Sequence, residues 1–238
     1  MKKVIGLAML ASAATVGVAS AEVTASVTLT SDYVFRGLSQ TDGGAAIQGS
    51  FDWSNDTFYA GVWGSNVNFG ATNFTELASM ELDAYVGWTP TTGPVNWDLG
   101  VVGYFYPNAD DEIMGGEELD YYEGIVQAST NLTEQVTIGA QVAYTPEYFG
   151  GGGDGTYWEI NGGYAINDAT AITAAYGVQD IDFASGEYST WNIGITHAMH
   201  GFTLGAMYSD TNDAFENGYV FDETSADSRF VLSIGREL

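Results

Sequence analysis

The sequence has 238 residues, and its 31 Asp and Glu outnumber the five Lys and Arg, which gives a formal charge of −26. So acidic a chain excludes nucleic-acid binding, because a phosphate partner requires a basic face. The absence of cysteine excludes disulfides and lipid attachment to an N-terminal thiol. An aromatic content of 14%, together with 31 glycines, excludes disorder and favours a β-protein with many turns.

The first 21 residues have the three parts of a secretory signal peptide. Lys2 and Lys3 form a basic start, residues 4–18 are mostly apolar, and residues 19–21 read Ala-Ser-Ala, a typical cleavage site. The alternative is a transmembrane anchor, but the apolar run is shorter than the roughly 20 residues that span a bilayer. We therefore predict a cleaved signal peptide at 1–21 and one outer-membrane β-barrel domain at 22–238.

Apolar and polar residues alternate along almost all of this domain. Residues 23–30, for example, read VTASVTLT, with the apolar side chains on one face and the hydroxyls on the other. Such a period of two is typical of β-strands whose faces meet different media. The pattern predicts twelve strands, at residues 23–36, 45–54, 57–69, 80–90, 95–107, 119–130, 135–145, 156–167, 170–181, 188–198, 201–210 and 228–238.

The predicted connections alternate in length along the chain. Short turns follow the even strands, and longer loops follow the odd strands, at residues 37–44, 70–79, 108–118, 146–155, 182–187 and 211–227. An even strand count with short turns at one end and long loops at the other is typical of outer-membrane barrels. We predict an all-β fold, a single transmembrane antiparallel up-and-down β-barrel of about 12 strands with short periplasmic turns and longer extracellular loops.

The two strand faces indicate which side meets lipid. The apolar face carries no charged residue in mid-strand, whereas the polar face carries the carboxylates of Asp32, Asp52, Glu81, Asp83, Asp98, Glu123 and Glu159. So many carboxylates would be very costly in a packed core, but a water-filled lumen accommodates them. We therefore predict that the apolar face meets lipid. The alternative is a soluble β-sandwich or lipocalin-like barrel, in which the apolar face would point inward.

Two arginines fall on the predicted inward face, at one end of the barrel. Arg36 shares the face of Asp32, and Arg229 begins the last strand, so both are expected to line one sector of the outer mouth. Arg36 either pairs with Asp32 and braces the seam or helps to filter solutes across the lumen. With the seven carboxylates, these two arginines complete the predicted pore lining, which favours cations over anions.

The acidic loops and the two histidines offer little evidence for metal binding or catalysis. Asp110, Asp111 and Glu112 are candidates for Ca²⁺ or Mg²⁺, but no loop has the spacing of a helix-loop-helix calcium site, so solvated acidic loops are the alternative. His197 and His200 lie at a predicted turn without a third ligand, and no G-x-S-x-G element is present. We expect no catalytic residue, no enzymatic activity and no cofactor.

Several stretches resemble one family of outer-membrane proteins. Residues 31–53, SDYVFRGLSQTDGGAAIQGSFDW, are followed by FYAGVWGSNVNFG at 58–70 and MELDAYVGW at 80–88. Together they resemble the amino-terminal half of the TorF family of proteobacterial porins, and the closing RFVLSIGREL at 229–238 resembles it more weakly. The resemblance implies a β-barrel and a porin-like channel.

The expected function is passive diffusion of small hydrophilic solutes through a cation-preferring, porin-like channel. The alternative is a structural or adhesive barrel with a plugged lumen and functional surface loops. The longest predicted loop, 211–227, either folds inward as a constriction or stays on the surface. The expected location is the outer membrane of a Gram-negative bacterium. The expected partners are outer-membrane lipid, lipopolysaccharide, the barrel-assembly machinery, and small hydrophilic solutes or cations.

Overall fold

The computed structural model describes residues 21–70, 76–107, 109, 116–220 and 222–238. The predicted signal peptide therefore lies almost wholly outside the described residues. The described part contains twelve strands of nine or more residues, which are β1 Glu22–Thr30, β2 Ala46–Ser54, β3 Phe58–Gly70, β4 Glu76–Trp88, β5 Val95–Phe105, β6 Tyr121–Asn131, β7 Val136–Thr145, β8 Gly155–Asn167, β9 Thr170–Ile181, β10 Tyr188–Met199, β11 Phe202–Asn212 and β12 Arg229–Glu237.

The twelve strands form a closed antiparallel barrel. Each strand pairs with the next along the chain, and β12 returns to pair with β1, where Leu29 faces Ile234. The pairing of β4 with β5, from Leu82–Phe105 to Trp88–Leu99, completes the circle. Closure removes the unpaired strand edges that an open sheet would expose. The predicted all-β, twelve-strand up-and-down barrel is confirmed.

The outer surface of the barrel is apolar, as the alternation predicts. Val27, Phe51, Val86 and Ile193 are among the large apolar side chains that the barrel exposes, and each faces away from the interior. Many aromatic side chains are exposed on the same surface, namely Phe51, Trp53, Trp88, Trp97, Trp158, Tyr164, Trp191 and Tyr208. Among the described residues, no helix is long and apolar enough to cross a membrane. The single short helix there is a 3₁₀ turn at Glu223–Ser225.

The connections alternate in length, so the two ends of the barrel differ. At the short-turn end, strands are joined by turns such as 132–135, 168–169 and 200–201. At the long-loop end, the described connections include 31–45, 146–154 and 213–228. The connection after β3, residues 71–75, lies outside the described residues, and the connection after β5 lies partly outside them. The alternation agrees with the predicted pattern of short turns after even strands.

The first strand differs from its prediction. The alternation predicts a strand from 23 to 36, but β1 ends at Thr30. The Thr30 hydroxyl donates to the carbonyl of Asp32 at 2.7 Å, and the chain then turns away from the barrel wall. A second short pair of strands follows, Val34–Phe35 with Leu38–Ser39. Residues 31–36 therefore belong to the first long connection, and the parity that assigned Arg36 to the face of Asp32 does not apply.

Candidate functional site

Inward-facing side chains differ in exposure along the barrel axis. On β6, Glu123 near the long-loop end is buried, whereas Ser129 near the short-turn end is half-buried. On β8, Tyr157 is buried and Asn161 is half-buried in the same order. The interior is therefore packed at its long-loop end and reached by solvent at its short-turn end.

The first long connection fills the packed end of the interior. Residues 31–45, here called the inward hairpin, fold back between the barrel walls around a tight turn at Arg36 and Gly37. Both turn residues have positive φ, 48° at Arg36 and 86° at Gly37, a region that favours glycine. A Cβ on Gly37 would lie 2.3 Å from the Thr190 hydroxyl oxygen on β10. The turn therefore sits directly against the inner wall.

Aromatic side chains of the hairpin pack against aromatic side chains of the wall. The ring of Tyr33 meets Trp63 edge-on, with 5.3 Å between centroids. The ring of Phe35 meets Tyr104 in the same way at 5.9 Å. Edge-to-face pairs of this kind add to the stability gained from burying the rings. These contacts explain why the hairpin lies inside the barrel rather than in solvent.

Arg36 forms a buried ion pair across the interior. Its guanidinium donates to both carboxylate oxygens of Glu123 on β6, at 2.8 and 2.6 Å, and to the Gln179 amide oxygen on β9 at 2.8 Å. Arg36 is 4% exposed and Glu123 1% exposed. A buried charge requires such a partner, because desolvation of an unpaired ion is very costly. The predicted pairing of Arg36 with Asp32 is wrong.

Three further contacts hold Arg36 in place. Its guanidinium lies over the rings of Phe35 and Tyr157, at 4.7 and 4.4 Å from the ring centroids. Its backbone carbonyl accepts a hydrogen bond from the Tyr188 hydroxyl at 2.9 Å. Contacts with two aromatic rings stabilise the planar guanidinium in this buried site. The tip of the hairpin is thus fastened to β6, β8, β9 and β10.

Arg229, and not Arg36, is the partner of Asp32. The Arg229 guanidinium donates to Asp32 Oδ2 at 2.6 Å, which joins β12 to the connection that follows β1. Asp32 Oδ1 accepts from the hydroxyls of Ser39 and Thr41 at 2.7 and 2.8 Å. Asp32 therefore fixes the base of the hairpin to the seam. The expectation that both arginines line one sector is wrong, because Arg36 extends to the opposite wall.

Tyrosine hydroxyls donate hydrogen bonds to most of the inward carboxylates. These hydroxyls donate from Tyr33 to Glu81 at 3.0 Å, from Tyr59 to Asp98 at 2.8 Å, from Tyr104 to Glu123 at 3.1 Å, from Tyr157 to Glu159 at 2.7 Å, and from Tyr85 to Asp52. A hydroxyl satisfies a lone pair but supplies no positive charge. In the described residues, five inward carboxylates have no arginine partner, namely Asp52, Glu81, Asp83, Asp98 and Glu159.

Two other long connections cover the packed end. Phe149, in residues 146–154, packs edge-on against Phe69 and Tyr106, at 5.5 and 5.1 Å. In residues 213–228, Tyr219 packs against Tyr188 at 4.5 Å. The hydroxyl of Tyr219 also donates to the Gln179 carbonyl at 3.1 Å.

The connection predicted at 211–227 therefore lies over the mouth of the barrel and contacts the inward hairpin through Leu38. Its Phe215 is exposed, and its Phe221 lies outside the described residues. The constriction inside the barrel comes from the first connection, which the sequence did not indicate.

The structure places each predicted site residue as follows. The pore-lining candidates all contact the interior, either from the strands or from the hairpin. The loop candidates for Ca²⁺ or Mg²⁺, Asp110, Asp111 and Glu112, lie outside the described residues. The His197 ring shares a hydrogen bond with Thr170 at 2.9 Å, and His200 occupies a turn. In the part of the chain that is described, no group of three or more acidic or histidine side chains converges as a metal site would require.

Comparison with known families identifies the family of this chain. The sequence model of Gcw_chp, described as a bacterial protein of unknown function, matches residues 14–237. The chain belongs to the Gcw_chp family. No curated protein matches this Gcw_chp chain.

Solved structures show what the Gcw_chp fold resembles. The KdgM porin has a TM-score of 0.58 and 6% identity, with 90% of this chain and 98% of that chain covered. A second KdgM structure, in complex with disordered oligogalacturonate, also has a TM-score of 0.58, with 7% identity and the same coverage. The NanC porin has a TM-score of 0.56 and 12% identity, with 89% and 97% covered. At these identities the likeness is one of fold, and the shared fold is the closed antiparallel β-barrel of the KdgM and NanC porins.

Proposed function

We propose that this Gcw_chp protein is an outer-membrane channel for passive diffusion of small hydrophilic solutes, with a preference for cations. The proposal includes export through the predicted signal peptide, insertion by the barrel-assembly machinery, and contact with outer-membrane lipid and lipopolysaccharide. It also includes membership of the TorF porins, which the stretches at 31–53, 58–70 and 80–88 suggest. No catalytic role is proposed.

The observation that carries the proposal is the contrast between the two faces of the barrel wall. The outer face presents large apolar side chains, which suit lipid, and the inner face presents carboxylates, hydroxyls and amides, which suit water. A polar interior reached by solvent at the short-turn end is what a channel for hydrated solutes requires. The porin barrels with similar folds support the same assignment.

The cation preference follows from the charges left inside. Arg36 and Arg229 neutralise Glu123 and Asp32, and no basic side chain pairs with the five remaining carboxylates among the described residues. Rings of carboxylates lower the energy of cations in a pore and raise that of anions. The solvent-reached part of the interior contains three of them, Asp52, Asp98 and Glu159, and no arginine in the described residues.

The inward hairpin sets the pore width in this proposal. Arg36 and its partners occupy the axis of the packed end, so solutes pass this constriction or the channel stays shut. The plugged barrel with functional surface loops is the second candidate, and the buried Arg36–Glu123 pair is the observation that favours it.

Planar-bilayer recording tests the proposal. The purified barrel is inserted into a neutral bilayer under a potassium chloride gradient, and the zero-current potential is measured. We expect the sign of a cation-selective current, with a weaker selectivity when Asp52, Asp98 and Glu159 are replaced together by their amides. Anion selectivity would contradict the proposed preference, and the absence of any current would favour the plugged barrel.

A further inference from the structure

Two carboxylates on β4 lie side by side in the packed end of the interior. Glu81 and Asp83 are two positions apart on one strand, so they share its inward face with their Cα atoms roughly 7 Å apart. Glu81 is 2% exposed and Asp83 5% exposed. Trp63 on β3 and Tyr104 on β5 pair with Asp83 in the sheet and flank it. The site is thus built into the wall and covered by the hairpin, whose Tyr33 donates to Glu81.

Among the described residues, no basic side chain pairs with Glu81 or Asp83. Arg36 is held by Glu123 and Gln179, and Arg229 is held by Asp32. Arg236 is exposed near the short-turn end, with its guanidinium over the Phe202 ring at 5.2 Å. The two remaining basic residues, Lys2 and Lys3, belong to the predicted signal peptide. Any positive charge that balances Glu81 and Asp83 therefore has to come from solution.

An unpaired atom shows where that charge is required. Asp83 Oδ1 is buried and has no hydrogen-bond partner among the described residues. A proton on Oδ1 would have no acceptor, and a proton on Oδ2 would leave Oδ1 without a donor. A buried polar atom left unpaired costs free energy in either case. A cation satisfies both carboxylates, because it contacts oxygen atoms directly or through its own water.

We propose that Glu81 and Asp83 bind one partly hydrated divalent cation, Ca²⁺ or Mg²⁺, beneath the inward hairpin. Two fixed negative charges match a divalent ion, and carboxylate oxygens are the ligands that both ions prefer. Since no third acidic group converges on the pair in the described residues, water completes the coordination shell. Mg²⁺ in particular binds through one or two carboxylates and keeps several of its waters.

The site has a structural consequence for the hairpin. Glu81 accepts the Tyr33 hydroxyl, and Tyr33 packs on Trp63, so the cation, Glu81 and the hairpin form one connected unit. Loss of the ion leaves two like charges side by side and weakens the support of the hairpin. Divalent cations therefore hold the packed end closed.

Calorimetric titration of the folded barrel tests this site. The full barrel in detergent micelles is treated with a chelator and titrated with CaCl₂ or MgCl₂ at fixed pH and ionic strength. The variants Asp83→Asn and Glu81→Gln are compared with Asp98→Asn, an inward aspartate bonded to Tyr59 outside the site. Circular dichroism and heat-modifiable migration confirm that each variant folds.

We expect the wild type and Asp98→Asn to bind one more divalent ion than Asp83→Asn, and Glu81→Gln to bind that ion at least tenfold more weakly. Binding to the acidic loops is common to all four proteins and cancels in the comparison. Equal site numbers and affinities in all four would overturn the proposal. So would a wild-type barrel that acidification stabilises and neither ion does, because the pair would then hold a proton.

Binding of a divalent cation by Glu81 and Asp83 does not depend on the proposed transport. Titration in micelles measures binding whether or not the barrel conducts. A barrel that binds the ion but carries no current would support the cation site and contradict the channel function. A barrel that conducts but does not bind the ion would support the channel function and contradict the site.

Discussion

The Arg36 guanidinium donates to both carboxylate oxygens of Glu123, at 2.8 and 2.6 Å, although 87 positions separate the two residues in the sequence. The pair crosses the interior of the barrel and fastens the first long connection to β6. It joins the constriction to the wall by a buried, bidentate ion pair.

Replacement of Arg36 tests the energy of this contact. Arg36→Ala leaves the Glu123 carboxylate buried without its cation, so we expect a loss of about 3–5 kcal/mol in the free energy of unfolding. Urea unfolding of the barrel in micelles, followed by tryptophan fluorescence, measures it. The double variant Arg36→Leu/Glu123→Leu should recover most of the loss, because an apolar pair has no desolvation cost. A double variant as unstable as the single one would show that the ion pair is not the source of the effect.

Substitution of Gly37 tests how closely the turn of the hairpin contacts the barrel wall. Gly37 has φ 86°, and an added Cβ would collide with the side chains of Thr190 and Thr211. Gly37→Ala should therefore displace the hairpin tip and make the hairpin more accessible to protease. Gly43→Ala is the matched control, because Gly43 also has a positive φ, 69°, but open space around it. Equal proteolysis rates of the two variants would contradict the close contact between the tip and the wall.

The seam contact should behave differently from the Arg36 contact. Arg229 donates to Asp32 Oδ2 and also to backbone carbonyls, and it lies nearer to solvent than Arg36. We expect Arg229→Ala to cost about 1.5–3 kcal/mol, the range for hydrogen bonds to charged groups. Hydrogen exchange at β1 and β12 should rise while β6 stays protected. Faster exchange at β6 would mean that Arg229 supports the hairpin tip as well as the seam.

A pH-dependent change is expected at the loop that covers the mouth. Burial raises the pKa of Tyr219 to about 12, and its hydroxyl donates to the Gln179 carbonyl. An unfolded tyrosine loses its proton near pH 10, so the contribution of Tyr219 to stability is present below that pH and is lost as the pH rises toward 12. Ultraviolet difference titration of the wild type against Tyr219→Phe isolates this phenol. A transition near pH 10 would show that the covering loop is open.

The barrel itself follows from local sequence. Alternation at β2 or β7 reports both the strand and its two faces, because a wall between lipid and water imposes a period of two on every strand. Acidic residues such as Asp52 and Glu159 on the polar face therefore indicate a polar interior from the sequence alone. The closing pair β1–β12 follows from an even strand count in a closed barrel.

The hairpin could not be predicted in the same way. In the sequence the alternation continues past Thr30, because Tyr33 and Phe35 have the spacing of apolar residues in a strand. In the structure both side chains pack inside the barrel. Gly37 is a local signal of a turn, but its importance lies in a contact with Thr190, far along the chain. Glu123 as the partner of Arg36 depends on the shear and width of the closed barrel, which no single segment encodes.

In the proposed channel, the inward hairpin forms the constriction and the pore prefers cations. Single-channel conductance of the wild type and of Arg36→Ala, recorded in the same bilayer and salt, tests it most directly. We expect a small wild-type conductance that increases severalfold in the variant, with the preference for cations retained. Equal conductance in both proteins would contradict the hairpin as the constriction, and no current in either would contradict the channel itself.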